Sequence, residues 1–483
     1  MVPSIVPTPA TRKLGTDQTR THQIEWSRPT RWALSWLRAL TAEGRDAFLY
    51  GCSALFAGVT ALAMGIPLYR QWGQLAVGPY AAATLLMAWV ARRSARTGDG
   101  RRLWGTARIV AFMIVLFGAT VVPLALEVVW RSEGDPALHV QPEVVVVEQA
   151  GQRAAHGEDP YRVIDRDGHV LLHPNNEPVY ELYYPYLPGM VIFGFSSGEA
   201  GSKATARLTD ARIQFLVFSS LITLIALSRL RPPTDARFRS LQAMTVLPTA
   251  ALPLATGGDD MPVAALMLLG LVAVQRRRPV LAGLALGAAS SLKFTAWPLV
   301  LLAVFAVRDL DRRRAVWRYL LGVIAIVGPV VVPVALRNPT AFIDNVIRFP
   351  LGLAGVSSPA ASALPGHILV SAVHGSHRIY VAVVGVVGLV VVIRFLIKRP
   401  PGDAASLAGF TGWFMLIAIL LAPATRVGYL LYPIDLFLWS WMLKGSYDPV
   451  APDQSSSGSS RSSTVNGVVP AAVAGETTTP VSQ

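Results

Sequence analysis

The feature that most constrains this chain is the recurrence of apolar runs close to the length, about 20 residues, that an α-helix needs to cross a bilayer. Hydrocarbon offers no hydrogen bonds, so each run has to satisfy its own backbone groups, which a helix does. The runs fall at 47–69, 75–92, 107–130, 211–228, 240–256, 261–275, 279–292, 294–307, 317–336, 379–397, 406–423 and 428–444. They predict an all-α, polytopic transmembrane helical bundle of about twelve spans. The two runs flanking Lys293 are short, and read either as two spans or as one tilted or broken hairpin. Composition agrees: only 15% of residues are charged, against roughly a quarter in soluble domains, which excludes an ordinary soluble enzyme.

The net charge of +14 would suggest nucleic acid in a soluble protein, but here the arginines sit between apolar runs, as in cytoplasmic loops. With the N-terminus inside, every even gap is basic: Arg92, Arg93, Arg96, Arg101 and Arg102; Arg229, Arg231, Arg237 and Arg239; Arg276, Arg277 and Arg278; Arg308, Arg312, Arg313 and Arg314; Lys398 and Arg399. The long outer segment 131–210 is instead acidic, and its two stretches around 143–156 and 183–190 read as interfacial helices. A second outer loop, 337–378, carries Arg337, Asp344, Arg348, His367, His374, His377 and Arg378. Residues 1–46 form a basic cytoplasmic tail whose Trp26, Trp32 and Trp36 suit a headgroup-level helix. From 446 onward Ser, Thr, Gly and Pro dominate, giving a disordered cytoplasmic tail. The expected location is the inner (plasma) membrane, both termini cytoplasmic and the long loops extracytoplasmic. The single cysteine, Cys52, excludes an internal disulfide.

Candidate chemistry lies on the outer side. Glu143 opens a helix-forming stretch that Gly157 and Pro160 terminate. It can be the general base for an acceptor hydroxyl or simply a favourable charge in a first helical turn. Asp259 and Asp260, in the short turn Thr256–Pro262, can contact a cation or sugar hydroxyls, or cap the next helix. Lys293 and Arg426 are cations against the positive-inside trend, suited to an anionic headgroup or phosphate, or to snorkelling at the interface. The histidines follow no metal-ligand spacing, no metal site is expected, and no nucleotide-binding fingerprint is present.

Taken in order, the segments resemble the type C glycosyltransferases, and most nearly family 87, the actinobacterial polyprenyl-phosphomannose-dependent mannosyltransferases. The resemblance rests on an acid after a span (Glu143), Gly-x-x-Pro-Tyr (Gly157 to Tyr161), a Tyr-Pro-Pro-Leu-like segment (Tyr184 to Leu187), a Gly-x-x-Asp-like turn (Gly257 to Asp260) and Ala-x-x-Lys-x-x-x-x-Pro (Ala289 to Pro298). It covers about 107–445, leaving 47–106 as an added N-terminal transmembrane hairpin. Two departures stand out: the family's usual Asp is Glu143 here, and the Tyr segment reads Tyr-Pro-Tyr-Leu.

The resemblance implies inverting transfer of a hexose, mannose above all, from a polyprenyl-phosphate donor to a cell-envelope glycolipid or polysaccharide, with no cofactor and no metal. Glu143 would be the base and Lys293 and Arg426 would hold the phosphate. Asp159, Tyr161, Tyr184, Tyr186, Asp259, Asp260, His367, His377 and Arg378 are further substrate-binding candidates. Two other classes compete. A transporter or flippase predicts charge pairs in mid-span and a repeat between halves, whereas the spans are nearly charge-free and the halves differ in loop pattern. A non-catalytic envelope partner would leave Glu143 replaceable.

Overall fold

The computed structural model describes residues 40–97, 100–134, 138–161, 182–197, 202–230, 234–354, 360–372 and 377–444. Residues 1–39 of the expected basic tail with its three tryptophans, the C-terminal tail, His374 and the stretch 162–181 of the acidic loop lie outside these residues, while 42–46, expected in the tail, already belong to the first helix. Among those described, the structure is helical, with one isolated β-bridge between Ala361 and Thr425.

Helices α1 (Ala42–Ala63) and α2 (Pro67–Thr97) form the N-terminal hairpin; α3 (Gly100–Val115) runs through a π-helical turn, Leu116–Val121, into α4 (Val122–Glu133). Next come α5 (Pro142–Ala155), α6 (Lys203–Leu208), α7 (Ala211–Ser228), α8 (Thr234–Thr245), α9 (Pro248–Thr256), α10 (Asp260–Gln275) and α11 (Pro279–Leu292). The remainder is α12 (Trp297–Arg337), α13 (Pro339–Ile343), α14 (Pro365–Ala372), α15 (His377–Lys398), α16 (Ala404–Leu421) and α17 (Leu431–Lys444). Local sequence sets the boundaries. Thr41 accepts the Gly44 amide at 3.1 Å, Asp403 and Ser406 form a reciprocal capping box, and Pro142, Pro248 and Pro279 open their helices without needing an N–H partner.

All twelve apolar runs lie on helices, and among the described residues seven are long and apolar enough to cross a membrane: Ala42–Ala63, Pro67–Thr97, Leu103–Glu133, Lys203–Ser228, Arg313–Arg337, His377–Lys398 and Ala404–Leu421. The others fall short for visible reasons. The run at 240–256 is divided at Leu247–Pro248 into α8 and α9, because proline cannot donate to the preceding turn. Helices α10, α11 and α17 have 16, 14 and 14 residues. The 3-10 turn Phe294–Ala296 and α12 together comprise an arm Phe294–Arg308 and an arm Arg313–Arg337. The chain reverses between them, because Tyr319 Oη donates to Val300 O at 2.7 Å, whereas 19 residues of straight helix would separate them by about 28 Å.

Helix α15 is strongly apolar yet has no buried residue, as expected of a helix covered by lipid. The loops gather at two ends. At one, Asp46 holds Arg108 at 3.0 Å and Arg239 at 2.5 Å, while Arg108 also reaches Asp235 at 2.6 Å. The Arg108 guanidinium lies over Trp104 and Phe238. This buried cluster fastens α1 and α3 to α8. The segments expected outside gather at the other end. There Arg337 donates to Gly157 O at 3.0 Å, Asn345 Oδ1 accepts from Tyr184 N at 2.7 Å, and Thr425 pairs with 360–362.

Close backbone approach fixes the packing of α11 on the second arm of α12: a Cβ at Gly283 would meet Tyr319 O and the Gly322 backbone. Gly283→Leu is therefore expected to destabilise by about 1–3 kcal/mol, the usual range for overpacking. Thermal unfolding in detergent checks this, with Gly385→Ala, which meets nothing within 4 Å, as the unaffected control.

Candidate active site

Glu143 is the second residue of α5, just past Gln141 and Pro142. The Gln141 N–H donates to Thr256 O at 3.0 Å, and its side-chain amide donates to Tyr69 Oη and Thr256 Oγ1, both at 2.9 Å. These bonds bring the start of α5 against the end of α9. A Cβ at Gly257 would overlap the Gln141 amide, and Gly258 has φ +89°, a conformation that side chains other than glycine rarely adopt. The two glycines therefore make the turn that delivers Asp259 and Asp260 to the head of α10.

Lys293 ends α11 in an extended conformation, φ −149° and ψ 144°, instead of continuing the helix. Its ammonium donates to Asp259 Oδ2 at 2.7 Å and to Asp260 Oδ1. Tyr432 Oη donates to the same Asp260 oxygen at 2.6 Å and is bonded to Thr295 Oγ1 at 2.9 Å. The rings of Tyr186 and Tyr429 face the ammonium at 5.3 and 5.4 Å, favourable cation–π distances. Lys293, Asp259 and Asp260 are each under a tenth exposed, so this is a buried charge cluster and not a snorkelling lysine.

Arg426 forms an ion pair with Glu143 Oε1. Burial works against the arginine's charge, but the Glu143 carboxylate beside it outweighs that and holds the guanidinium above its ordinary range. The second oxygen, Glu143 Oε2, is buried with no hydrogen-bond partner among the described residues. Behind it, α5 is anchored through Glu148. Arg131 grips that carboxylate with two bonds at 3.0 and 2.6 Å, and the Ala211 N–H donates to it at 3.1 Å. Arg131 also reaches Asp210 at 2.8 Å, and Arg212, fully buried, holds Asp210 and donates to His139 O at 2.8 Å. Gly151 and Gly194 meet backbone to backbone, seating α5 on the 3-10 turn Pro188–Gly194.

The structure thus brings together Glu143, Asp259, Asp260, Lys293, Arg426 and Tyr186, which lie up to 283 positions apart in sequence. It corrects the interfacial reading of α5 and the tyrosine segment. Val144, Val147, Ala150 and Gly151 are buried in protein, as are the rings of Tyr161 and Tyr184. Tyr161 Oη donates to Tyr186 O at 2.9 Å, so its hydroxyl is committed to the backbone and braces the segment. Tyr184 packs against both Tyr161 and Tyr186. Asp159 accepts the Tyr161 N–H at 3.0 Å, a local turn contact. His367 bonds Pro423 O at 2.9 Å and His377 bonds Leu351 O at 2.8 Å, bracing loops, while Arg378 is exposed in the first turn of α15. Sequence reasoning missed Tyr432, Gln141 and Tyr69. Tyr432 was hidden inside an apolar run, and no spacing marks the other two.

Residues 204–424 match glycosyltransferase family 87. The match supports the family 87 resemblance read from the motifs, and with seven membrane-length apolar helices among the described residues it favours a membrane glycosyltransferase over a transporter. No curated protein sequence matches the chain. Asp259, Asp260 and Lys293 lie within the family 87 region, whereas Glu143 lies before it and Arg426 two residues beyond its end.

Removing one side of a buried charge cluster leaves the other uncompensated. Lys293→Met is expected to destabilise the protein by about 3–5 kcal/mol, since two carboxylates would then share one site without a cation. Lys293→Arg should recover part of that loss. Thermal unfolding of the purified variants, side by side with wild type, reads both effects.

Proposed function

We propose that the protein transfers a hexose, mannose in the first instance, from a polyprenyl-phosphate donor to a glycolipid or polysaccharide acceptor, with inversion at the anomeric carbon and without a metal. The observation that carries the reading is the state of Glu143: one oxygen on Arg426, the other buried and unpartnered. An unsatisfied carboxylate oxygen in a buried site is a strong acceptor for a hydroxyl proton. As the acceptor oxygen attacks the anomeric carbon, its proton passes to Glu143 Oε2. The bond from that carbon to the phosphate oxygen breaks with its electron pair on the phosphate.

The leaving phosphate gains charge, and a cation aimed at it lowers the barrier. Arg426 supplies a planar fork suited to two phosphate oxygens, and it stays cationic next to Glu143. Lys293 is committed to its two aspartates, whose carboxylates can accept from sugar hydroxyls. The arginine-rich loops support a cytoplasmic placement for the opposite end of the bundle, and hence an outer-leaflet site in the plasma membrane.

The test is transfer by purified protein in liposomes from radiolabelled polyprenyl-phosphate mannose to a membrane-lipid acceptor extract. Glu143→Gln keeps the shape and removes the base, and is expected to lower transfer about 10²–10⁴-fold with folding intact. Arg426→Gln is expected to lower it as well. Transfer that persists in Glu143→Gln overturns the role of Glu143, and a wild type inert with every lipid-linked sugar overturns the reading.

A further inference from the structure

At the same end of the bundle, outside the ion-paired site, a cleft of about 350 Å³ is lined by Gln71, Trp130, Glu133, Gly134 and His139. That volume falls in the range of small-molecule sites. Its walls come from α2, from α4 and from the segment leading into α5, all before the family 87 region. His139 lies only four residues before Glu143, so their Cα atoms are at most about 14 Å apart.

The lining groups have an unusual state. His139 Nδ1 is bonded at 2.9 Å to Glu127, which is fully buried, and the other oxygen of Glu127 has no partner among the described residues. The side-chain oxygen of Gln71 is likewise buried and unpartnered. Glu133 is held by Arg207 at 2.6 Å. Trp130 contributes an indole packed at 5.7 Å from the His139 ring. The cleft therefore offers an aromatic ring, an amide, an imidazole and one carboxylate, Glu133, already paired with Arg207, and no cation among the described lining residues.

A phosphate would have to take Arg207 from Glu133 and would meet no cation among the described lining residues. A neutral polyol fits, since its hydroxyls both donate and accept and its C–H face packs on an indole. We propose that this cleft binds a neutral sugar unit of the acceptor, holding it so that a hydroxyl further along reaches Glu143. The proposal rests on the transferase reading for the word acceptor, but the sugar site itself stands on the lining groups. The N-terminal hairpin thereby gains a role of its own, with Gln71 selecting the acceptor while the donor phosphate goes to Arg426.

Two measurements test it. In the liposome assay, Trp130→Ala and Gln71→Leu are expected to raise the KM for the acceptor extract about tenfold and leave the donor KM within twofold. Trp130→Phe, which keeps an aromatic face, should restore most of the difference. A raised donor KM with unchanged acceptor KM would overturn the proposal and give the cleft to the donor. Independently of any transfer, saturation-transfer NMR on detergent-purified protein with methyl α-mannoside, methyl α-glucoside and methyl α-galactoside reads sugar binding directly. The expected result is a signal from at least one glycoside that Glu143→Gln keeps, Trp130→Ala loses and Trp130→Phe retains. No signal with wild type, or a signal lost in Glu143→Gln and kept in Trp130→Ala, overturns the proposal. Binding at the cleft in a protein that transfers nothing would sink the transferase reading and leave the sugar site standing. Comparing a free glycoside with the lipid extract as competitor separates a soluble glycan from a glycolipid headgroup.

Discussion

A charge withdrawn from water into an apolar bundle costs several kcal/mol unless another charge meets it, and that requirement organises this protein. Asp46 is met by Arg108 and Arg239, Glu148 and Asp210 by Arg131, and Lys293 by Asp259 and Asp260. Each cluster joins elements far apart in the chain. Asp46 binds the N-terminal hairpin to α8, Arg131 binds α4 to α5 and α7, and Lys293 binds the α11 turn to the head of α10. Lipid supplies no hydrophobic drive between helices, so these polar ties and the glycine contacts at 151, 194 and 283 do the locating.

The Lys293 cluster shows how a site follows from that constraint. Asp260 can reach the ammonium only because Gly257 and Gly258 turn the chain sharply before α10, and Lys293 only because α11 stops at Leu292. The Leu187 N–H then bonds Leu292 O at 3.0 Å, which draws the tyrosine segment beneath the cluster and sets Tyr186 against the ammonium. Burial raises the Tyr186 hydroxyl well above its ordinary range, so it remains a neutral donor beside the charges. A helix end, a glycine turn and an aromatic segment thus fix one another, and Arg426 with Glu143 is added at the edge.

Much of this was legible in the sequence because bilayer crossing imposes a length and an apolarity that each segment declares locally. The apolar runs, the end of α5 near Gly157 and the short turn before α10 could all be read that way. The positions of Glu143, Asp259, Lys293 and Arg426 as polar groups at one end followed from alternation of loops. Their pairing did not, because which acid meets which cation depends on helix packing between segments such as 141–143 and 425–427 that no spacing relates. Tyr184 misled for the same reason. A tyrosine between apolar stretches reads as an interfacial anchor, and only the bundle reveals that its hydroxyl is taken by a backbone carbonyl. The fold of α12 into two arms was legible, since the Arg308–Arg314 cluster interrupts the apolar pattern where the chain reverses.

The pairing of Glu143 with Arg426 also bears on how a base and a phosphate site can share one small volume. Glu143 balances the charge of Arg426 and ties the start of α5 to the segment before α17. In the proposed transfer a donor phosphate competes with Glu143 for the same guanidinium. Phosphate offers two coplanar oxygens to the fork, whereas Glu143 engages it through Oε1 alone. As the phosphate takes over the guanidinium, Glu143 Oε1 is released, so both carboxylate oxygens are free to turn to an acceptor hydroxyl arriving at Oε2. The same exchange would keep the carboxylate held on Arg426 whenever the donor is absent, so that the base is released by the binding of the substrate it serves.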